Sequence, residues 1–80
     1  MIARMWEARC AAGGTAEVAA WVRETVIPAA LEAGAHSAEA FGSADRIVLI
    51  TRWTGPPTWT EPAGPIPVER SHAWDFQVLS

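Results

Sequence analysis

The sequence predicts an α+β fold, a single domain over residues 1–80 in which one main helix covers an antiparallel sheet of four strands. The run Arg46–Trp53 carries hydrophobic side chains on both faces of an extended strand, which is typical of a strand inside a sheet. The segment Thr15–Gly34 carries apolar residues at helical spacing instead. These two patterns predict one sheet layer and one helix layer.

The chain begins with a predicted strand and continues into the predicted helix. Met1–Cys10 alternates in the way a strand does, and Gly13-Gly14 ends it. Thr15 is the expected N-cap of the helix, and Gly34 is its expected C-terminal residue. Because proline has no N–H and disfavours a helical residue before it, we expect a kink or a restart at Pro28.

Two further strands form a predicted hairpin, and a fourth strand ends the fold. His36–Phe41 is a short strand, Gly42–Asp45 is rich in turn formers, and the Arg46–Trp53 strand follows. Ala73–Leu79 alternates with Trp74 on one face and Asp75 on the other. The predicted order is therefore β, α, β, β, arm, β.

The arm is the segment 55–70, which contains five of the six prolines. That composition excludes a helix and disfavours a paired inner strand. Trp59 and Ile66 are costly to leave in water, so we expect the arm to pack through them on its own subunit or on a partner.

The number of layers predicts a homodimer. One helix covers only one face of the sheet, whereas at least two strands are apolar on both faces. An 80-residue chain is also near the size at which a single core is marginal. A second copy packed sheet against sheet would cover the exposed face and enlarge the core.

Composition argues against several classes of partner and cofactor. The net charge is −3, lysine is absent and the six arginines are scattered, so we expect no nucleic-acid partner. We expect no membrane partner and no signal segment, because no long apolar span occurs and charges interrupt the opening residues. Cys10 is the only cysteine, which favours a reducing cytoplasm, and no nucleotide or flavin motif is present.

The two histidines have no partners at metal-ligand spacing, so we expect no metal site. His72 and Asp75 are three residues apart on a strand, which turns them to opposite faces. His72 is the better candidate for proton transfer, since it lies at the junction of arm and strand near Arg70. Arg46 and Arg52 share the Val48 face, where one of them could stabilise an anion. For Arg46 we favour a solvated position at the end of the strand.

The five tryptophans are expected mainly in the core and at the subunit interface, with one or two lining a pocket for a planar ligand. Several segments together resemble the antibiotic biosynthesis monooxygenase-like proteins over most of the chain. They are Met1-Ile-Ala-Arg-Met-Trp6, Val26-Ile-Pro-Ala-Ala-Leu31, Ser37-Ala-Glu-Ala-Phe41, Thr51-Arg-Trp53 and His72-Ala-Trp-Asp-Phe-Gln-Val78.

The resemblance implies a ferredoxin-like subunit, a dimeric α+β barrel and a small hydrophobic ligand. This chain departs from the family in two ways: the arm replaces the second helix, and neither asparagine nor tyrosine occurs. Of the asparagine, tryptophan and tyrosine that quinone-forming members use, only a tryptophan could be present, as Trp6 or Trp53.

Two functions follow from the resemblance. One is a small cofactor-independent enzyme of oxygenase, cyclase or isomerase type that acts on an aromatic or polyketide-like compound; the other is a non-catalytic dimeric binding protein. We expect the pocket between sheet and helix, with Trp6 and Trp53 as walls. Trp74 and Trp59 are the further candidates for substrate binding. His72 is the expected proton-transfer group and Arg52 the expected anion stabiliser.

Overall fold

The computed structural model describes residues 1–65 and 67–80 and shows an α+β protein with one four-stranded antiparallel sheet. The strands are β1 (Ile2–Cys10), β2 (Ser37–Gly42), β3 (Arg46–Trp53) and β4 (Val68–Gln77). Their order in the sheet is β2-β3-β1-β4, so β1 and β3 are central. This arrangement, with one main helix after β1, confirms the predicted fold class and is compatible with a ferredoxin-like fold.

The helix is continuous, although its middle turn is wider than an α-helix. It consists of α1 (Thr15–Trp21), a π-helical turn (Val22–Val26) and α2 (Ile27–Glu32). Ile27 is helical, with φ −60° and ψ −50°, so the chain does not leave the helix before Pro28. The interruption expected there is a π-helical turn, after which the second α-helical piece begins at Ile27. Since the proline ring crowds the carbonyl one turn earlier, the wider turn just before it relieves the clash.

Both ends of the helix are fixed by hydrogen bonds. Gly14 is the N-cap, and Thr15 is the first helical residue rather than the cap that we expected. The Thr15 hydroxyl donates instead to the carbonyl of Ala44, 2.9 Å away, in the turn between β2 and β3. At the other end Gly34 has φ +111° and its N–H donates to Leu31, which confirms the predicted glycine stop.

The helix packs on the face of the sheet that carries the odd-numbered residues of β3 and the even-numbered residues of β1. Leu49 is fully buried there, opposite Trp6 in the register. Val18, Val22 and Val26 come from the helix and complete this core. The sequence correctly placed Ile47 and Leu49 together and Val48 on the other side.

The opposite face of the sheet, which we call the open face, has no layer of the described residues over it. Phe41 is 51% exposed, Trp74 43% and Phe76 52%. Met5 and Ile50 are opposite each other in its middle and are partly exposed. Within one subunit, the helix therefore covers one face of the sheet, as the sequence predicted.

The arm crosses from β3 to β4 on the same side of the sheet as the helix. Trp59 packs against Trp53, with ring centroids 5.9 Å apart, and its carbonyl accepts a hydrogen bond from Arg4. β4 begins at Val68, so residues 68–70 belong to a strand and not to the arm as we expected. A bulge next to Cys10 lets the chain enter the sheet there.

In the single chain the arm packs on its own subunit, which is one of the two alternatives that the sequence left open. The predicted contact through Trp59 is present, because Trp59 contacts the buried core. The predicted contact through Ile66 lies outside the described residues. The arm thus occupies the side on which a second helix would connect β3 to β4.

Arg4→Gln should release the arm, because this arginine holds both the Trp59 carbonyl and the Glu61 carboxylate. We expect chymotrypsin to cut the folded variant after Trp59 at least ten times faster than the wild type, as local opening becomes easier. Arg23→Gln, an exposed change on the helix, is the matched control. Equal cleavage of both variants would show that Arg4 does not hold the arm.

Candidate functional site

A polar cavity of about 160 Å³ lies at one end of the open face. It is lined by Glu7, Arg9, Arg46, Arg70 and His72. The antiparallel register produces this cluster, because β1 lies between β3 and β4 and brings residues from distant parts of the sequence side by side. Basic groups, one carboxylate and one imidazole therefore share a concave surface.

His72 joins this polar cavity to the apolar part of the open face. Its cross-strand partner is Glu7, and its ring lies 5.8 Å from the ring of Trp74. Trp74 in turn is opposite Met5. An imidazole next to a carboxylate and an exposed indole can transfer protons to a ligand that rests on the indole.

Arg52, the expected anion stabiliser, is on the same face but not in the cavity. It pairs with Ala3, whereas His72 pairs with Glu7. Four residues of strand separate these two positions, which corresponds to about 13 Å along the sheet. Within one subunit, the arginines that share the cavity with His72 are Arg9, Arg46 and Arg70.

Trp6 and Trp53 belong to the core between sheet and helix. Trp6 is 4% and Trp53 5% exposed, and neither lines the cavities at the protein surface described here. Trp6 packs on Trp21, with ring centroids 6.1 Å apart. Trp59 covers Trp53 from the arm. Of the four tryptophans expected to bind substrate, Trp74 is the one on the open face.

A second cavity of about 200 Å³ lies between the helix and the edge strand β2. Its lining is mainly apolar and comes from Ala19, Arg23, Ala40, Phe41, Gly42 and Ile47. This is the nearest match to the pocket expected between sheet and helix. It lies on the side of the helix away from the arm, because β2 and β4 are opposite edges of the sheet.

An ion cluster on the helix side joins β1, β4 and the arm. The Arg4 guanidinium donates to the Asp75 carboxylate over 2.6 and 3.0 Å and lies 3.7 Å from the Glu61 carboxylate. The hydrogen bond from Arg4 lowers the pKa of Asp75. Burial raises the pKa of Glu61, whose side chain is 4% exposed, with one carboxylate oxygen lacking a hydrogen-bond partner.

These opposite shifts predict opposite pH effects for two variants. Ionised Asp75 stabilises the fold above its ordinary pKa, and this contribution is lost as the pH falls, so the deficit of Asp75→Asn should shrink toward pH 3. The ionised form of buried Glu61 destabilises the fold. The free energy of unfolding of the wild type should therefore rise relative to that of Glu61→Gln as the pH falls from 7 to 4. Urea unfolding at several pH values measures both differences. Changes of the same sign in the two series would contradict this assignment.

Cys10 is buried at the end of β1, and burial raises the pKa of its thiol. This is the environment of a structural cysteine rather than a nucleophile. Over residues 1–65 and 67–80, no group of three or more histidine, cysteine, aspartate or glutamate side chains could hold a metal ion. None of the helices described is long and apolar enough to cross a membrane.

Comparisons of the chain with protein-family models, with curated proteins and with solved structures find no match. The fold and the open face therefore define the class: an α+β protein with a ferredoxin-like arrangement and an uncovered sheet that carries a basic cavity.

Proposed function

We propose that two copies pair through their open faces to form a dimeric α+β barrel that holds a small hydrophobic or aromatic molecule. The observation that carries this proposal is the set of large apolar side chains on the open face. Phe41 on one edge strand and Trp74 and Phe76 on the other are about half exposed, and Met5 and Ile50 lie partly exposed on the two central strands between them. Contiguous apolar surface of this kind marks an interaction site.

The dimensions of the sheet fit such a pairing. Strands of about eight residues in four rows give roughly 500 Å² of flat area per subunit. Burying both faces would remove at least about 1,000 Å², which is the lower limit for a specific interface. The interface would contain the basic cavity, so pairing would also enclose it.

Within this dimer we propose a cofactor-independent enzyme that moves protons on an aromatic or polyketide-like substrate, as in an isomerase or cyclase. His72 supports this proposal, because it lies beside Glu7 and Trp74 at the border between polar and apolar surface. The buried thiol of Cys10 is in keeping with a cytoplasmic protein.

The competing proposal is a non-catalytic dimeric binding protein for a small hydrophobic ligand. The apolar cavity between the helix and β2 favours it, because its walls offer one charged group, Arg23. A binding protein can use apolar walls alone, whereas an enzyme also needs a reactive group.

His72→Ala should lower catalysed proton exchange by about a hundredfold, as expected for loss of a general base. The probe is 2-tetralone in D₂O, whose exchange of hydrogen next to the carbonyl is followed by NMR. His36→Ala is the matched control, because this second histidine bonds to Thr54 and lies outside the cavity. Unchanged exchange in His72→Ala would remove His72 from the mechanism, and binding without exchange in the wild type would favour the binding protein.

A further inference from the structure

Three arginines lie side by side across the sheet. Arg9 of β1 is the register partner of Arg46 on β3 and of Arg70 on β4. Like charges directly opposite one another destabilise a sheet. A row of three therefore costs stability unless negative charge lies close to it.

The carboxylates of the chain compensate this row only in part. Glu7 accepts a hydrogen bond from Arg46 over 2.8 Å. Glu69 and Asp45 lie 3.9 and 4.0 Å from Arg9 and Arg46, and their side chains are more than half exposed. Exposed pairs at such distances contribute little. Among the residues that the structure describes, no carboxylate lies within 4 Å of the Arg70 guanidinium.

The whole open face has the same excess of positive charge, although the chain carries a net −3. By register, four of the six arginines and two of the nine carboxylates are on it. These are Arg9, Arg46, Arg52, Arg70, Glu7 and Glu39. Pairing two such faces would bring like charges together, and a bound anion would offset that repulsion.

We propose that the arginine row, Arg46, Arg9 and Arg70, binds the carboxylate of a small aromatic acid whose ring lies along Trp74. Guanidinium groups hold carboxylates through paired, charge-assisted hydrogen bonds. His72 lines the same cavity as the arginine row, and its ring packs against the ring of Trp74. This inference rests on the proposed function and names its substrate class.

The test compares 2-naphthoate with 2-naphthol, which keeps the ring but is uncharged at neutral pH, and with inorganic phosphate. Binding to the full chain is measured by calorimetry at low salt. We expect 2-naphthoate to bind at least ten times more tightly than either of the others. Arg70→Gln should remove most of that preference and leave the affinity for 2-naphthol unchanged, while Glu24→Gln, an exposed change on the helix outside both cavities, should keep the preference.

A second measurement separates a binding role from loss of folding. Without ligand, Arg70→Gln should melt at the same or a higher temperature, because it relieves like-charge repulsion with Arg9. Trp74→Ala should lower the affinity for 2-naphthoate and leave the affinity for phosphate unchanged. Equal affinity for 2-naphthoate and 2-naphthol would overturn the carboxylate site but leave the proposed function standing. Equal affinity for phosphate would show that the ring takes no part, and no binding of any aromatic probe would overturn both.

Discussion

Leu49→Asp should leave no folded protein. Leu49 is fully buried between the central strand β3 and the helix, so the variant would place a carboxylate in an apolar core without a partner. Burial of the unpaired carboxylate adds several kcal/mol to the loss of the leucine side chain, and the sum is comparable with the whole stability of an 80-residue domain. Circular dichroism and urea unfolding measure the effect.

The milder change Leu49→Ala serves as the graded control. Loss of the buried methyl groups should cost about 2–5 kcal/mol and leave a weakened fold. Native stability in Leu49→Asp would mean that this face of β3 is not the core.

Ile50→Asp should abolish the dimer and leave each subunit folded. Ile50 follows Leu49 along the strand, but its side chain is on the opposite face of the sheet. Its side chain lies on the open face opposite Met5, where the proposed partner would bury it. An unpaired carboxylate in that interface would cost several kcal/mol. Val48→Asp tests the same face one row away. Light scattering with circular dichroism distinguishes loss of pairing from loss of structure.

Thr25→Asp supplies the matched control, because it adds the same charge at an exposed position on the helix. We expect this variant to keep the mass and stability of the wild type. An Ile50→Asp protein that still pairs as tightly as the wild type would place the interface elsewhere.

The strands, and which of their residues share a face, could be predicted because successive residues of a strand point to opposite faces, a pattern that depends on the local sequence alone. The alternation of Arg46–Trp53 was enough to separate Leu49 from Ile50, and turn residues defined the hairpin. The path of the arm was partly predictable, since a tryptophan in a proline-rich segment has to be covered. The start of β4 at Val68 was missed because flanking prolines weaken a strand signal, and the bulge that admits it is not visible in sequence.

The candidate site was less predictable because register is not local. Arg46 was interpreted as a solvated end of a strand, and nothing in the sequence says that Arg9 and Arg70 pair beside it. Parity also cannot tell which face meets the helix, so Trp6 and Trp53 could not be distinguished from pocket walls until the structure placed them in the core. Glu7 was missed because its place beside His72 depends on the register between β1 and β4.

The mass of the wild-type protein in solution tests most directly whether the open face is a subunit interface. Multi-angle light scattering at about 10 μM should give twice the 8.6 kDa of one chain, with a melting temperature that rises with protein concentration. A folded particle of 8.6 kDa with a melting temperature independent of concentration would contradict the dimer and, with it, the enclosed site.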